Sequence, residues 1–171
     1  MITELQHQLI FKGNTPEQAN LVMLSYTARM PCKEIVVNGE LYLRRYFMCE
    51  HPDGAQEWIH QFVSRDGDRH LHSHPWHAVS TILVGEYLEE HLDDGEKKER
   101  TLRAGDLNIL DPGHIHRIAS VSHFCWTHMV VGASRLDNWF FLDDEGNKEF
   151  VATSPSDWWK DCKPRGNKDE N

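Results

Sequence analysis

The chain has 171 residues, 39% of them hydrophobic, and a formal net charge of −9, which suits one globular domain with a substantial core. The negative charge argues against a nucleic-acid partner, because binding along a phosphate backbone needs a positive surface. No apolar run approaches the roughly 20 residues that a membrane span requires, so we expect no membrane partner.

The cysteines and the N-terminus bear on location. The four cysteines are scattered, with no close pair that resembles a zinc knuckle or a redox motif, and free thiols are typical of intracellular proteins. The first residues lack the basic and apolar regions of a secretory signal. We therefore expect a cytoplasmic protein.

One long helix is predicted near the N-terminus. Thr15 is a suitable cap, Pro16 suits the first helical position, and Gln18 completes a capping box. The helix is expected to run to about Arg29 and to end before Pro31. We expect it to pack on the outside of a sheet.

From Lys33 onward the apolar pattern alternates with a period of two, and Asn38-Gly39 is a strong hairpin signal. A short helix is predicted at Ser156–Lys160. The pattern of short strands and close turns predicts an all-β sandwich or barrel, forming one domain over residues 1–162 with a disordered tail at 163–171. The predicted strands are Leu9–Phe11, Glu34–Val37, Glu40–Met48, Gln56–Ser64, Val79–Val84, Glu86–Leu92, Arg100–Arg103, Leu107–Leu110, Ile115–Val121, Phe124–Gly132, Asn138–Leu142 and Lys148–Ala152.

A histidine-rich stretch covers Arg69–His77 and holds four of the chain's twelve histidines. His70, His72 and His74 share one parity, so on an extended strand their side chains leave the same face. Histidine is the commonest metal ligand among side chains. A solvated loop or a tag remnant is the alternative, but the run is internal, irregular and followed directly by an apolar strand. The pattern favours a metal site.

A second histidine pair, His114 and His116, follows the turn residues Asp111-Pro112-Gly113. Either histidine alone would be interpreted as a hydrogen-bonded turn residue. Two His-x-His pairs in one all-β chain indicate a shared site.

These two segments resemble the motifs of the cupin superfamily, over about residues 34–152. The resemblance implies a double-stranded β-helix, or jelly-roll barrel, with His72, His74 and His116 as metal ligands. A closer likeness is to small uncharacterised metal-binding cupins of bacteria and phages. Gly67, His72, His74 and Gly85 match the first motif, and Gly105, Pro112, Gly113 and His116 match the second, with Asp111 in place of a proline.

The chain departs from the first motif at Ala78, where the superfamily has a glutamate ligand. His77 is the natural substitute as a fourth ligand, if the turn after Trp76 is shifted by one residue. An all-histidine set is more cationic than the set of two histidines and one carboxylate, and favours anionic substrates. Because three-histidine cupins include thiol dioxygenases, Fe(II) is favoured, while Zn, Ni, Mn and Cu stay open.

Other residues are candidates for the surroundings of this site. Arg69, Arg103 or Arg117 could pair with an anionic substrate, although Arg117 follows a presumed ligand on a strand and should point away from it. His70 or His114 could orient a ligand or be exposed. Trp76, Trp126 and Trp139 are interpreted as core or as pocket walls.

Three functions compete. The leading hypothesis is a mononuclear Fe(II)-dependent oxygenase acting on a small, anionic substrate. The alternatives are a metal-assisted isomerase or hydrolase that does not use O₂, and a non-enzymatic module that binds a small ligand or senses a metal. The fold alone does not choose among them. A homodimer is the default expectation, since cupins commonly pair through outer strands.

Overall fold

A computed structural model describes Glu4 and residues 13–64 and 70–165. The predicted edge strand Leu9–Phe11 lies outside the described residues, as do Gly67, Arg69 and the tail residues 166–171. In the part of the chain that is described, no helix is long and apolar enough to cross a membrane.

The predicted helix is present as α1 (Pro16–Thr27). The Gln18 backbone N–H donates to Thr15 Oγ1 (3.3 Å), and the Thr15 N–H donates to Gln18 Oε1 (2.9 Å), so the capping box is complete. The helix ends two residues before the predicted Arg29. The N–H of Met30 donates to the carbonyl of Thr27 (3.0 Å), a turn-type bond that closes the helix.

Two antiparallel six-stranded sheets form the body of the protein, in the orders β1-β2-β3-β10-β5-β8 and β12-β11-β4-β9-β6-β7. The strands are β1 (Cys32–Val37), β2 (Glu40–Glu50), β3 (Gln56–Phe62), β4 (Leu71–His72), β5 (Trp76–Val84), β6 (Glu86–Asp93), β7 (Glu96–Arg103), β8 (Leu107–Leu110), β9 (His116–Val121), β10 (Cys125–Arg135), β11 (Asn138–Leu142) and β12 (Lys148–Ala152). The predicted all-β jelly roll is confirmed.

The helix packs on the outer face of the first sheet, as predicted. Met23 of α1 lies in one buried cluster with Tyr46, Ile59 and Trp126, which point outward from that sheet. The Trp126 indole N–H donates to the Asn20 side chain (2.9 Å), which satisfies two buried polar groups together. The inner faces of the two sheets are left to enclose a separate interior.

Gly85 lets the chain pass from the first sheet into the second, between β5 and β6. Its φ is +73°, in the left-handed region that glycine adopts at low cost. A Cβ at this position would collide with the carbonyl oxygen of Phe124. Glycine is therefore required here by both backbone conformation and space.

The C-terminal predictions need correction. The helix predicted at Ser156–Lys160 is wrong: this segment is a series of turns, with N–H groups bonded three residues back, such as Lys160 to Asp157 (3.0 Å). The carbonyl of Lys163 accepts a hydrogen bond from Cys32 (3.1 Å), and Pro164 forms a β-bridge with Pro31. The first residues of the predicted disordered tail thus pair with the start of β1.

Candidate metal centre

Three histidines converge inside the barrel. His72 ends β4 and is the register partner of His116, the first residue of β9. His74 follows in the short connection to β5. The ring centroids lie 5.1 Å apart for His72 and His74, 5.2 Å for His72 and His116, and 5.0 Å for His74 and His116. One nitrogen from each ring lies within 4.8 Å of the other two.

The backbone of the histidine-rich stretch is not the single extended strand that the parity argument assumed. Strand β4 holds only Leu71 and His72, and His74 lies in the irregular segment that follows. Pro75 has no N–H to donate to a sheet ladder, which accounts for the break. The ring of His74 is positioned by stacking on Trp76, at 4.4 Å between centroids and 15° between planes.

The nitrogen geometry fits a divalent metal. The Nε2 atoms of His74 and His116 lie 2.8 Å apart. Two nitrogens bound to one ion at about 2.1 Å lie roughly 3 Å from each other, so this pair is close to a ligating arrangement. Burial, together with the charges of His116 and His72, lowers the pKa of His74 well below its ordinary value. The His74 imidazole is therefore neutral at neutral pH, the form that binds metals.

The other nitrogen of His116 is held by a buried glutamate that sequence reasoning missed. His116 Nδ1 donates to Oε1 of Glu89 (2.5 Å), which is fully buried on β6. Asn108 donates to the same oxygen (2.8 Å), and Arg100 donates to Oε2 (2.5 Å). This bond directs His116 Nε2 toward the other two histidines.

Glu89 is ionised in this setting. Burial alone would raise the pKa of Glu89, but hydrogen bonds with His114 and His116, and with Arg100, outweigh it and hold the pKa well below its usual range. His114 Nε2 lies 3.3 Å from Glu89 Oε1, so His114 contacts the carboxylate that holds His116, and its predicted role in orienting a ligand stays a prediction. His70 is exposed.

The structure does not bring His77 to the three-histidine group. Its side chain is 68% exposed and its Nδ1 lies 2.7 Å from Oδ1 of Asp111. Strand β5 already begins at Trp76, so His77 points outward while Trp76 and Ala78 point inward. The shifted turn that would have made His77 a ligand is absent from β5, and Ala78 contributes no donor.

A cavity of about 320 Å³ adjoins the three histidines. Its described walls include the aromatic side chains of Trp58, Trp76, Trp139 and Trp158. Its charged lining residues are Lys33, Arg45 and Arg135, and no aspartate or glutamate lines it within the described ranges. The charged side chains that line the described part of the cavity are therefore all cationic.

Arg45 and Arg135 lie over the same tryptophan, with their Cζ atoms 4.5 Å and 5.8 Å from the ring centroid of Trp58. Arg45 Nε donates to His60 Nε2 (3.0 Å), and Arg135 donates to Gln56 Oε1 (3.2 Å). Burial, and then the like charge of Arg135, lower the pKa of Arg45 to about 10. Arg45 lines the same cavity as the three histidines, and its charge contributes to the lowered pKa of His74.

Two of the three arginines proposed from sequence, Arg103 and Arg117, do not line the cavity. Arg103 pairs with Glu86 (3.0 Å) and Arg117 with Glu90 (2.8 Å), while Arg69 is outside the described residues. The sequence did contain an indication that Arg45 could face the interior. Arg44 and Arg45 are consecutive on a strand, so one of them must face inward.

Comparison with solved structures identifies the architecture. Fe(II) HppE in complex with substrate superposes with a TM-score of 0.51 at 14% identity, over 77% of this chain and 76% of that one. A cupin-2 domain from Rhodospirillum rubrum gives 0.54 at 11% identity, over 68% and 78%. A cupin 2 conserved barrel domain protein from Rhodopseudomonas palustris gives 0.51 at 15% identity, over 68% and 79%.

The chain has a cupin fold. The resemblance noted in the sequence is confirmed at the level of fold. This chain also matches two other Fe(II) HppE structures, and it spans just over half of their length, 55% and 56%. No family model matches the sequence, and no curated protein aligns with it significantly.

Proposed function

We propose that this cupin is a mononuclear Fe(II)-dependent oxygenase that acts on a small anionic substrate. The observation that carries the proposal is the group His72, His74 and His116 at the wall of a cavity lined by cations and by no described carboxylate. The likeness in fold to HppE, whose structures hold Fe(II), supports iron among the metals that imidazole ligands accept.

In this proposal the three histidines hold the iron and Glu89 holds His116 in place. Bound Fe(II) would supply the activation of O₂ and the redox chemistry. The Glu89 carboxylate would balance part of the positive charge of the metal through His116, because Oε1 contacts His116 Nδ1 and is not itself a ligand in this proposal. The open side of the group faces the cavity.

The substrate's anionic group would lie against Arg45 and Arg135. Guanidinium groups bind carboxylates and phosphate-like groups in a bidentate manner, and a bound anion would relieve the repulsion between these two half-buried arginines. A cavity of about 320 Å³ lies at the small end of the range for small-molecule sites. Its tryptophan walls would exclude water from the bound substrate.

The first experiment measures metal in protein purified without a tag. We expect wild type to bind one equivalent of Fe(II) at this centre after anaerobic loading, and His74→Ala and His116→Ala to lose it. His77→Ala is the matched control, because its exposed imidazole lies on the outer face of β5. Equal iron in wild type and both ligand variants would refute the site.

The second experiment measures O₂ consumption by the Fe(II)-loaded protein with a panel of small carboxylates, phosphonates, phosphate esters and thiols, with and without 2-oxoglutarate. We expect at least one compound to drive O₂ uptake that His116→Ala abolishes. Anions that bind and are converted without O₂ would favour an isomerase or hydrolase. Anions that bind without conversion would favour a binding module.

A further inference from the structure

A second cluster of side chains that could hold a metal lies outside the cavity, on the outer face of the first sheet. The ligand atoms of Cys49, His51 and Glu57 all lie within 4.8 Å of one another. His51 Nε2 lies 2.8 Å from Oε1 of Glu57 and 4.0 Å from Sγ of Cys49. His128 Nε2 lies 2.8 Å from the other carboxylate oxygen, Oε2.

The strand register brings these residues together. Cys49 of β2 is the direct partner of Glu57 of β3, after an irregularity in register between Phe47 and Cys49. In the turn that follows β2, the His51 N–H donates to the carbonyl of Ala55 (2.8 Å), and the His51 side chain lies against Glu57. His128 of β10 lies diagonally across from Glu57, whose direct partner is Val130.

This cluster is separate from the three-histidine centre. Glu57 lies beside Trp58 on β3, and Trp58 lines the cavity, so the Glu57 carboxylate leaves the opposite face of the sheet. The side chain of His51 is 43% exposed, whereas Glu57 is 16% and His128 5% exposed. The cluster thus opens to solvent on the side of His51 and is anchored in the protein on the side of His128.

We propose that Cys49, His51 and Glu57 form a second metal site, selective for Zn²⁺, in which His128 positions the Glu57 carboxylate. Thiolate, imidazole and carboxylate are the ligands that zinc accepts in proteins. Ligands at about 2.0–2.3 Å from one zinc ion lie roughly 3 to 4 Å from each other, which the measured separations approach. A metal would bind with loss of the Cys49 thiol proton to solvent, and water would complete the coordination.

The chemistry of this site differs from that of the central one. The described central group offers only imidazole nitrogens, while the outer cluster contains a thiol, which favours zinc over the oxygen-preferring cations. A zinc ion here would link the end of β2 to the start of β3, next to the turn that connects them.

The two sites can be distinguished with Co²⁺, which serves as the probe. A thiolate bound to Co²⁺ gives a charge-transfer band in the near ultraviolet, and imidazole ligands do not. Titration of the metal-free full chain with Co²⁺ should produce this band, and Zn²⁺ should remove it. We expect the band to be lost in Cys49→Ser and reduced at least several-fold in His51→Ala.

The controls are matched to the variants. Cys162→Ser removes another half-buried thiol and should keep the band, as should His74→Ala, which lies in the central group. Equilibrium dialysis should find one equivalent of Zn²⁺ fewer in Cys49→Ser than in wild type. Absence of the band in folded wild type, or its survival in Cys49→Ser, would overturn the proposal and leave the central centre unaffected.

Discussion

The Nδ1 atom of His116 donates to a carboxylate oxygen of Glu89, a fully buried glutamate on the neighbouring strand β6. The cupin motif would place a glutamate ligand at Ala78, where this chain has none. Instead, a carboxylate contacts the far side of one imidazole. Its role would be to orient a ligand and to raise that ligand's basicity, which are the usual effects of a carboxylate behind a metal-bound histidine.

Glu89→Gln tests this role through the affinity of the metal and not only through activity. We expect the affinity of the central site for Co²⁺ or Fe(II) to fall by about 10- to 100-fold, because the neutral amide no longer fixes the His116 tautomer. Competition with a chromophoric chelator measures it. Glu90→Gln is the control, since Glu90 pairs with Arg117 (2.8 Å) and Lys97 (3.0 Å); equal losses in both variants would contradict the role.

Arg45→Met separates anion binding from stability. In metal-free wild type we expect inorganic phosphate, added at constant ionic strength, to raise Tm, because the anion relieves repulsion between Arg45 and Arg135. The variant should not show this increase in Tm with phosphate. Its Tm without phosphate should not fall below that of wild type, because the substitution removes a charge that lies beside a like charge. Arg117→Met, whose guanidinium pairs with Glu90 (2.8 Å), should keep the phosphate response. A phosphate response retained in Arg45→Met would exclude Arg45 from the anion site.

His60 should make stability depend on pH. Burial, and then the charge of Arg45, lower the pKa of His60 well below its ordinary value, so below about pH 6.5 the unfolded state binds more protons than the folded state. The free energy of unfolding of the metal-free protein should therefore fall as pH decreases from 7 to 5, and His74 should contribute in the same direction.

In His60→Gln, the unfolded state can bind one proton fewer. The slope of the unfolding free energy against pH should therefore decrease by up to about 1.4 kcal/mol per pH unit, in the range where His60 is protonated in the unfolded state and not in the folded state. Glutamine keeps an acceptor for Arg45 Nε, so the contact is retained. Urea unfolding at a series of pH values measures the slope. An identical slope in His60→Gln and wild type would mean that His60 takes up its proton equally in the folded and unfolded states.

Gly85→Ala should destabilise the protein by roughly 2 kcal/mol or more in urea unfolding, because a Cβ at positive φ would meet the carbonyl of Phe124. Gly113→Ala is the control, since nothing lies within 4 Å of the added Cβ. A similar loss of stability in both variants would show that the positive φ of Gly85 and the contact with Phe124 are not the cause.

Much of the fold could be predicted because the strands are short, alternate regularly and end at turn residues. The hairpin at Asn38-Gly39 and the capping box at Thr15 are both present. The three-histidine group was found through the spacing of its motifs. His77 was assigned wrongly because the point at which β5 begins decides which of two adjacent residues faces inward.

The buried charged residues near the centre were missed for a related reason. Arg45 follows Arg44, and Glu89 precedes Glu90, so each belongs to a like-charged pair on a strand. Alternation requires that one member of each pair faces inward, but the choice depends on which face the rest of the barrel covers. The prediction of a helix at Ser156–Lys160 was wrong because tertiary contacts override a weak local preference for helix. One such contact is the stacking of Trp159 on Phe47, with 4.1 Å between the ring centroids.

The closeness of Arg45 to the three histidines has a thermodynamic consequence for ligand binding. A divalent cation bound to His72, His74 and His116 would add positive charge beside a cavity without described carboxylates, and this would strengthen the binding of an anion. By reciprocity, an anion between Arg45 and Arg135 must strengthen metal binding by the same factor. Under the proposed function, metal and anion would therefore be coupled ligands, and the affinity measured for either one would have meaning only at a stated concentration of the other.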